Sequence, residues 1–210
     1  MKPVKFFSML FFFLGQASMI AWGQSWAFGL HIGENLSTLT GDQNYDYRLG
    51  FMGGVHASHY LTENIVMRLE VNFERKGARG EQITPNPQPG EEEWSNDYRL
   101  DYLSLPVMLR YSTGNKSKFI AGGGISFDYL FQEKVGYRPG FPSETSDFRR
   151  FDNDLIACIG GALALSEKLT FTMEMRGMWG LINVNKPEGV ARELGRNVSW
   201  GLMAGLNYYL

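Results

Sequence analysis

The sequence predicts an all-β chain: an eight-stranded antiparallel transmembrane β-barrel of an outer membrane, behind a cleaved N-terminal signal peptide. Three observations carry that expectation. An export signal opens the chain, eight stretches of period-2 hydrophobicity follow it, and the connections between those stretches alternate between long and short. The short links are Thr62 to Asn64, Thr113 to Lys116 and Ser166 to Lys168. The long ones are Ser37 to Tyr47, Gly77 to Asp97, Lys134 to Arg149 and Ile182 to Leu194. Tight turns on one side of a membrane and larger loops on the other are the signature of such barrels.

Residues 1–23 read as the signal peptide and 24–210 as the barrel domain. Lys2 and Lys5 give a positive start, Phe6 to Ile20 form an apolar run, and Ala21-Trp22-Gly23 offers small residues where a signal peptidase cuts, before Gln24. The run is shorter than the ~20 residues a spanning helix needs, and Gln16 and Ser18 interrupt it. Removing both lysines leaves 18 basic against 22 acidic side chains. That balance, with no basic cluster, argues against nucleic acid as a partner. Cys158 is the sole cysteine, which excludes an internal disulfide.

Successive side chains of a strand point to opposite faces, so each stretch divides into two sets. In the first, Trp26, Phe28, Leu30 and Ile32 oppose Ala27, Gly29, His31 and Gly33. The second, Leu49 to Leu61, is glycine-rich. In the third, Ile65, Met67, Leu69, Val71 and Phe73 alternate with Val66, Arg68, Glu70, Asn72 and Glu74. The fourth, Tyr98 to Tyr111, changes phase near Tyr102-Leu103, which predicts a bulge, and it carries Pro106, a residue that cannot donate to a sheet ladder.

In the fifth, Phe119, Ala121, Gly123, Ile125, Phe127, Tyr129 and Phe131 face away from Lys118, Gly122, Gly124, Ser126 and Asp128. The sixth, Leu155 to Leu165, is apolar on both faces, with Cys158 as a small packing residue. The seventh sets Leu169, Phe171, Met173, Met175, Gly177, Trp179 and Leu181 against Thr170, Thr172, Glu174 and Arg176. The eighth sets Val198, Trp200, Leu202, Ala204, Leu206, Tyr208 and Leu210 against Ser199, Gly201, Met203, Gly205, Asn207 and Tyr209.

A soluble β-sandwich would show the same alternation. Against it, the polar faces carry ionised groups that no dry core accepts unpaired, and aromatics gather near strand ends as in interfacial girdles. Eight strands enclose a space that side chains fill. Arg68, Glu70, Glu74, Arg110, Asp128, Glu174 and Arg176 are therefore expected to form a salt-bridged plug.

With the strands assigned, Phe28-Gly29-Leu30-His31-Ile32-Gly33-Glu34-Asn35-Leu36-Ser37 resembles the opening strand of the small outer-membrane β-barrel family of Bacteroidota that includes PorT. Tyr102-Leu103-Ser104-Leu105-Pro106-Val107-Met108-Leu109-Arg110-Tyr111 is similar to that family's Leu-Pro strand, and Ala121-Gly122-Gly123-Gly124 before an aromatic strand also fits. The resemblance implies a non-enzymatic outer-membrane barrel with periplasmic termini, in envelope structure or in surface-protein export by the type IX secretion route. It carries no catalytic motif.

The sharpest chemical candidate is His56 with Ser58 and Glu70. The first two share a strand face, and a tight turn at Thr62 to Asn64 sets Glu70 opposite His56. Carboxylate, imidazole and hydroxyl in that order can activate a nucleophile. The spacing is similar to that of outer-membrane lipid A deacylases, so the alternative to a non-enzymatic barrel is a lipid A-modifying hydrolase. All three residues share the inward parity, whereas a lipid substrate needs an outward site. They are expected to be lumen polar groups, and no residue is assigned as catalytic.

His31 and His59, without cysteine partners, make no metal site. The glycines at 122–124 lack the Lys-Ser/Thr of a phosphate loop. No cofactor and no metal are expected. The expected surroundings are outer-membrane lipid and lipopolysaccharide, together with envelope or secretion proteins. Arg149-Arg150 could meet lipopolysaccharide phosphates, and Glu91, Glu92, Glu93 and Asp97 a divalent cation, although solvated loops are the commoner outcome. A small channel is the further alternative.

The signal-peptide assignment has a direct check. Protein purified from the membrane fraction should begin at Gln24 by intact mass, and retention of residues 1–23 would overturn the assignment.

Overall fold

The computed structural model describes residues 26–40, 45–82, 95–136, 148–184 and 195–210. They form eight strands: β1 (Trp26–Thr40), β2 (Asp46–Tyr60), β3 (Ile65–Gln82), β4 (Ser95–Thr113), β5 (Ser117–Gly136), β6 (Phe151–Ala164), β7 (Leu169–Gly180) and β8 (Arg196–Tyr209). Each pairs antiparallel with the next, and β1 pairs with β8 from Ala27↔Tyr209 to Thr40↔Arg196, closing the barrel.

The alternation predicts the two faces. Leu30, Ile32, Val55, Leu109, Met175 and Leu202 stand more than half exposed on the outside, a surface suited to lipid. The polar sets are buried inside, and the proposed plug residues are all within 7% of complete burial. At Gly29 the wall must be thin, because an added Cβ would overlap the His56 ring and the Leu206 carbonyl. Gly122 similarly leaves room for the Arg110 side chain.

Three details differ from the sequence reading. β4 keeps one phase throughout, with Leu103, Leu105, Val107, Leu109 and Tyr111 outward and Tyr102, Ser104, Pro106 and Met108 inward. The irregularity lies instead in β5. Asp101 pairs with Gln132 and Tyr102 with Leu130, so Phe131 is the extra residue of a bulge. Leu100 misleads the pattern: it is inward, and it joins an apolar cluster with Leu39, Ala78, Tyr102, Leu130, Phe148 and Val184 that covers the interior at the long-connection end.

Pro106 creates no slip either. β3–β4 pairing lapses at Glu70–Val71 opposite Leu105–Pro106 and resumes in the same register. The missing proline N–H interrupts the ladder without shifting it.

The third difference is strand length. β3 runs to Gln82, β4 begins at Ser95 and β5 reaches Gly136, inside segments expected to be loops, and β6 begins at Phe151, ahead of the expected start at Leu155. Ladder hydrogen bonds continue after the apolar face has ended, and hydropathy cannot register that. Along β6 the extension brings Asp152 and Asp154 inside.

At the edge of the apolar belt, Trp179 and Trp200 meet edge-to-face at 5.3 Å over Gly177. Phe73 bridges Phe51 at 6.1 Å and Phe131 at 5.9 Å.

The folded barrel should migrate faster on an unheated gel than after boiling. Gly29→Val, whose side chain overlaps His56, is expected to stay in the slow form under the same refolding conditions. Equal yields of the fast form would show that the wall tolerates the added bulk.

Candidate functional site

The chemistry-bearing side chains gather in the interior, in two zones that parity on β3 begins to build. Arg68, Glu70, Asn72, Glu74 and Lys76 follow one another up its inward face. Near the short-turn end, Arg176 makes a two-pronged contact with Glu70, Nη1 to Oε2 at 2.8 Å and Nη2 to Oε1 at 3.0 Å. It also donates to Glu174 Oε1 at 2.6 Å. Arg68 Nε lies 2.9 Å from Glu70 Oε1, and Arg110 pairs with Glu174. Three guanidiniums thus share two carboxylates, and Arg176 is wholly buried. Paired Arg–carboxylate forks offset part of the large desolvation cost of burying each charge.

Towards the long-connection end, Lys76 Nζ gathers Asp128 at 2.8 Å, Glu74 at 3.1 Å and Asp154. Asn197 donates to Asp152 at 2.7 Å and to the Tyr102 hydroxyl at 3.2 Å. A layer of Met52, Met108, Ile156, Cys158, Met178 and Met203 packs in the same interior. On β4, Met108 falls between Arg110 of the arginine zone and Tyr102 of the acid-rich zone.

The register sets His56 opposite Glu70, as the turn length predicts. It does not join them into a relay with Ser58. Arg68 Nη2 donates to His56 Nδ1 at 2.7 Å, which leaves the His56 proton on Nε2, donating to Asn207 Oδ1 at 2.6 Å. His31 Nδ1 approaches His56 Nδ1 at 3.2 Å. The Glu70 oxygens are taken by Arg176, Arg68 and Asn72. Ser58 instead lines a shallow recess at the short-turn end with Tyr60, Arg110, Lys118, Asn207 and Tyr209. The hydroxyls of Tyr60 and Tyr209 meet across that mouth at 3.0 Å.

Elsewhere, the His59 ring packs tilted against Trp26 with centroids 4.4 Å apart, and Cys158 is a buried thiol in the methionine layer. Among the described residues, no three His, Cys, Asp or Glu side chains are set to share a metal ion. The acids of the upper zone converge on an ammonium instead. Arg150 Nη1 reaches back to the Leu130 carbonyl at 3.3 Å, and Asp97 pairs with Arg48 at 3.1 Å. Glu91, Glu92 and Glu93 lie outside the described residues. The sequence reading missed Lys76, Asp152, Asp154 and Asn197. Lys76 shares the parity of Arg68, Glu70 and Glu74, and that signal was available.

A closed eight-stranded wall, apolar outside and ion-paired within, defines a small transmembrane β-barrel whose lumen is filled by its own side chains. The family model for the outer membrane protein beta-barrel domain matches residues 16–186, and the chain belongs to that family. Among solved structures it is similar to the outer membrane protein OprG of Pseudomonas aeruginosa, with 14% identity and a TM-score of 0.56 over 90% of this chain and 96% of that one. It is also similar to Neisserial surface protein A, with 13% identity and a TM-score of 0.49 over 87% and 97%. At 14% identity the likeness to OprG is one of fold. No curated protein sequence matches the chain.

Removing one partner from the arginine zone leaves uncompensated buried charge. Arg176→Met is expected to cost about 3–5 kcal/mol in denaturant unfolding from lipid vesicles. Ser58→Ala, outside that network, should cost less than about 1 kcal/mol. Equal losses would show that the fork is not what holds the interior.

Proposed function

We propose that this chain is a non-enzymatic outer-membrane barrel that acts through its outer wall and rim. Its roles are envelope structure or the export and assembly of surface proteins, in the manner the PorT-like resemblance implies. In this reading the short turns and both termini are periplasmic and the long connections face outward. The observation that carries it is the filled interior. Arg68 and Arg176 are buried with their carboxylate partners, and the cluster around Leu100 and Tyr102 covers the opposite end. Among the described residues the lumen is packed with ion-paired side chains, which leaves the outer wall and the rim as the surfaces to work with.

The hydrolase alternative draws less support. A lipid substrate approaches from outside, whereas His56, Ser58 and Glu70 are within 4% of complete burial and the Glu70 oxygens are committed to arginines. The channel alternative requires the arginine forks to part.

The test is the surface and secreted proteome of a strain lacking this gene, with lipid A mass measured alongside. Unprocessed cargo accumulating in the periplasm would support an export role. An unchanged proteome with unchanged lipid A leaves envelope structure. A lipid A mass change reversed by the wild-type gene but not by Ser58→Ala would overturn the non-enzymatic reading, and single-channel conductance by the folded barrel would overturn the sealed lumen.

A further inference from the structure

Above the apolar belt the outer wall of β2 to β5 becomes cationic. Two residues beyond Phe73 on β3, Arg75 stands opposite Asp101 of β4, which stands opposite Gln132 of β5. In the next row, Gly77 faces Arg99, and Arg99 faces Lys134. Arg79 faces Asp97 in the row above, and across β2 it faces Asp46. Arg48, beside a register shift in β2, reaches Asp97, and Arg75, Arg79 and Arg99 all lie close enough to repel its charge. Among the described residues, five cations here confront three carboxylates.

The central pair is held in place. Asp101, with its side chain only 2% exposed, accepts from Arg75 at 2.8 and 3.3 Å and from Arg99 at 3.0 and 3.4 Å. Each guanidinium spends two of its five N–H donors on that carboxylate and keeps the others for a partner. Both remain about a third exposed. Arg75 also lies over the Phe73 ring at 5.7 Å, which ties it to the edge of the belt. Between Arg75 and Arg79 the wall has no side chain. Gly77 adopts φ 141°, and an added Cβ would overlap the Tyr98 carbonyl, so no other residue fits there without strain. The guanidinium-bearing residues therefore surround a bare stretch of backbone.

We propose that this wall binds the phosphorylated sugar headgroup of an outer-leaflet glycolipid. Arg75 and Arg99 contact its phosphate, Arg79, Lys134 and Arg48 surround it, and its acyl chains lie on Phe51, Phe73, Leu103 and Phe131 below. Guanidinium forks match phosphate oxygens in geometry and charge. The aromatic surface directly beneath selects an amphiphile over a free anion, because cations and apolar wall form one continuous strip along the strands. The assignment of this rim to the outer leaflet rests on the orientation proposed above.

The test is retention of purified diphosphoryl lipid A by the folded mature barrel in detergent, read by native mass spectrometry, with phosphatidylethanolamine and inorganic pyrophosphate as comparison probes. The wild type should retain diphosphoryl lipid A in preference to phosphatidylethanolamine. Arg99→Gln is expected to weaken retention about tenfold. Because it also loosens Asp101, the double variant Arg79→Gln/Lys134→Gln, which leaves the Asp101 clamp intact, provides the second reading and should weaken retention as well. Lys116→Gln/Lys168→Gln, at the short turns, should leave it unchanged. Gel mobility before and after boiling verifies that each variant is folded.

Undiminished retention by the folded double variant would overturn the proposal, as would equal loss in the short-turn control. Pyrophosphate binding as tightly as lipid A would overturn the lipid as occupant and leave a soluble-anion site. None of these readings depends on orientation. That is checked separately in intact cells by labelling Glu92→Cys with a membrane-impermeant maleimide. Absence of label there would overturn the outward orientation while leaving the in vitro binding result standing.

Discussion

Everything in this barrel depends on the seam between its first and last strands. Hydrocarbon offers no hydrogen bonds, so a sheet edge left open in the membrane would strand a row of N–H and C=O groups at several kcal/mol each. β1 meets β8 from Ala27↔Tyr209 to Thr40↔Arg196, and no edge remains. Closure with only eight strands makes the interior narrow, and a narrow interior forces every inward side chain to pack against others. The bare wall at Gly29 under the His56 ring and the fork from Arg176 to Glu70 are both consequences of that confinement. Even the proline of β4 is accommodated on these terms. The ladder tolerates one lapse in pairing with β3 because register is held above and below it.

Confinement also explains how the interior charges are sorted. Arg68, Arg110 and Arg176 share Glu70 and Glu174 in one zone, while Lys76 alone serves Glu74, Asp128 and Asp154 in the other. Methionines on four strands pack in the same interior, and their unbranched chains suit gaps left by packed salt bridges. His56 is drawn into this arrangement as an acceptor for Arg68 and a donor to Asn207. A histidine, a serine and a carboxylate on neighbouring strands are therefore a consequence of filling a polar lumen, and the histidine and the carboxylate each have neighbours that occupy them for structural reasons.

The sequence made the barrel legible wherever one face was apolar and the other polar. Strand number, the positions of the short turns, the facing of Glu70 to His56 and the identity of most plug residues all follow from period-2 alternation. Legibility failed where that contrast faded. On the upper part of β3, β4 and β5 the outward face turns polar, so the ends of these strands looked like loop, while the phase change read at Tyr102-Leu103 put Asp101 and Arg99 on the wrong face and hid their clamp with Arg75. Leu100 failed in the opposite sense. It is apolar and inward, covering the interior, and it mimicked a phase change in β4 while the real bulge formed at Phe131 of β5. Asp152 and Asp154 fell outside the expected sixth strand because the apolar run begins only at Leu155.

The tryptophan pair at Gly177 has an optical consequence. Trp179 belongs to β7 and Trp200 to β8, and their rings stand at 85° with centroids 5.3 Å apart. Two indoles that close couple their excited states, and the coupling exists only when the final hairpin is zipped in register. The glycine beneath them is the reason they can approach, since any side chain there would push into both rings. The chain thus carries a built-in chromophore dimer on its final hairpin, whose circular dichroism would report the pairing of β7 with β8 without any added label.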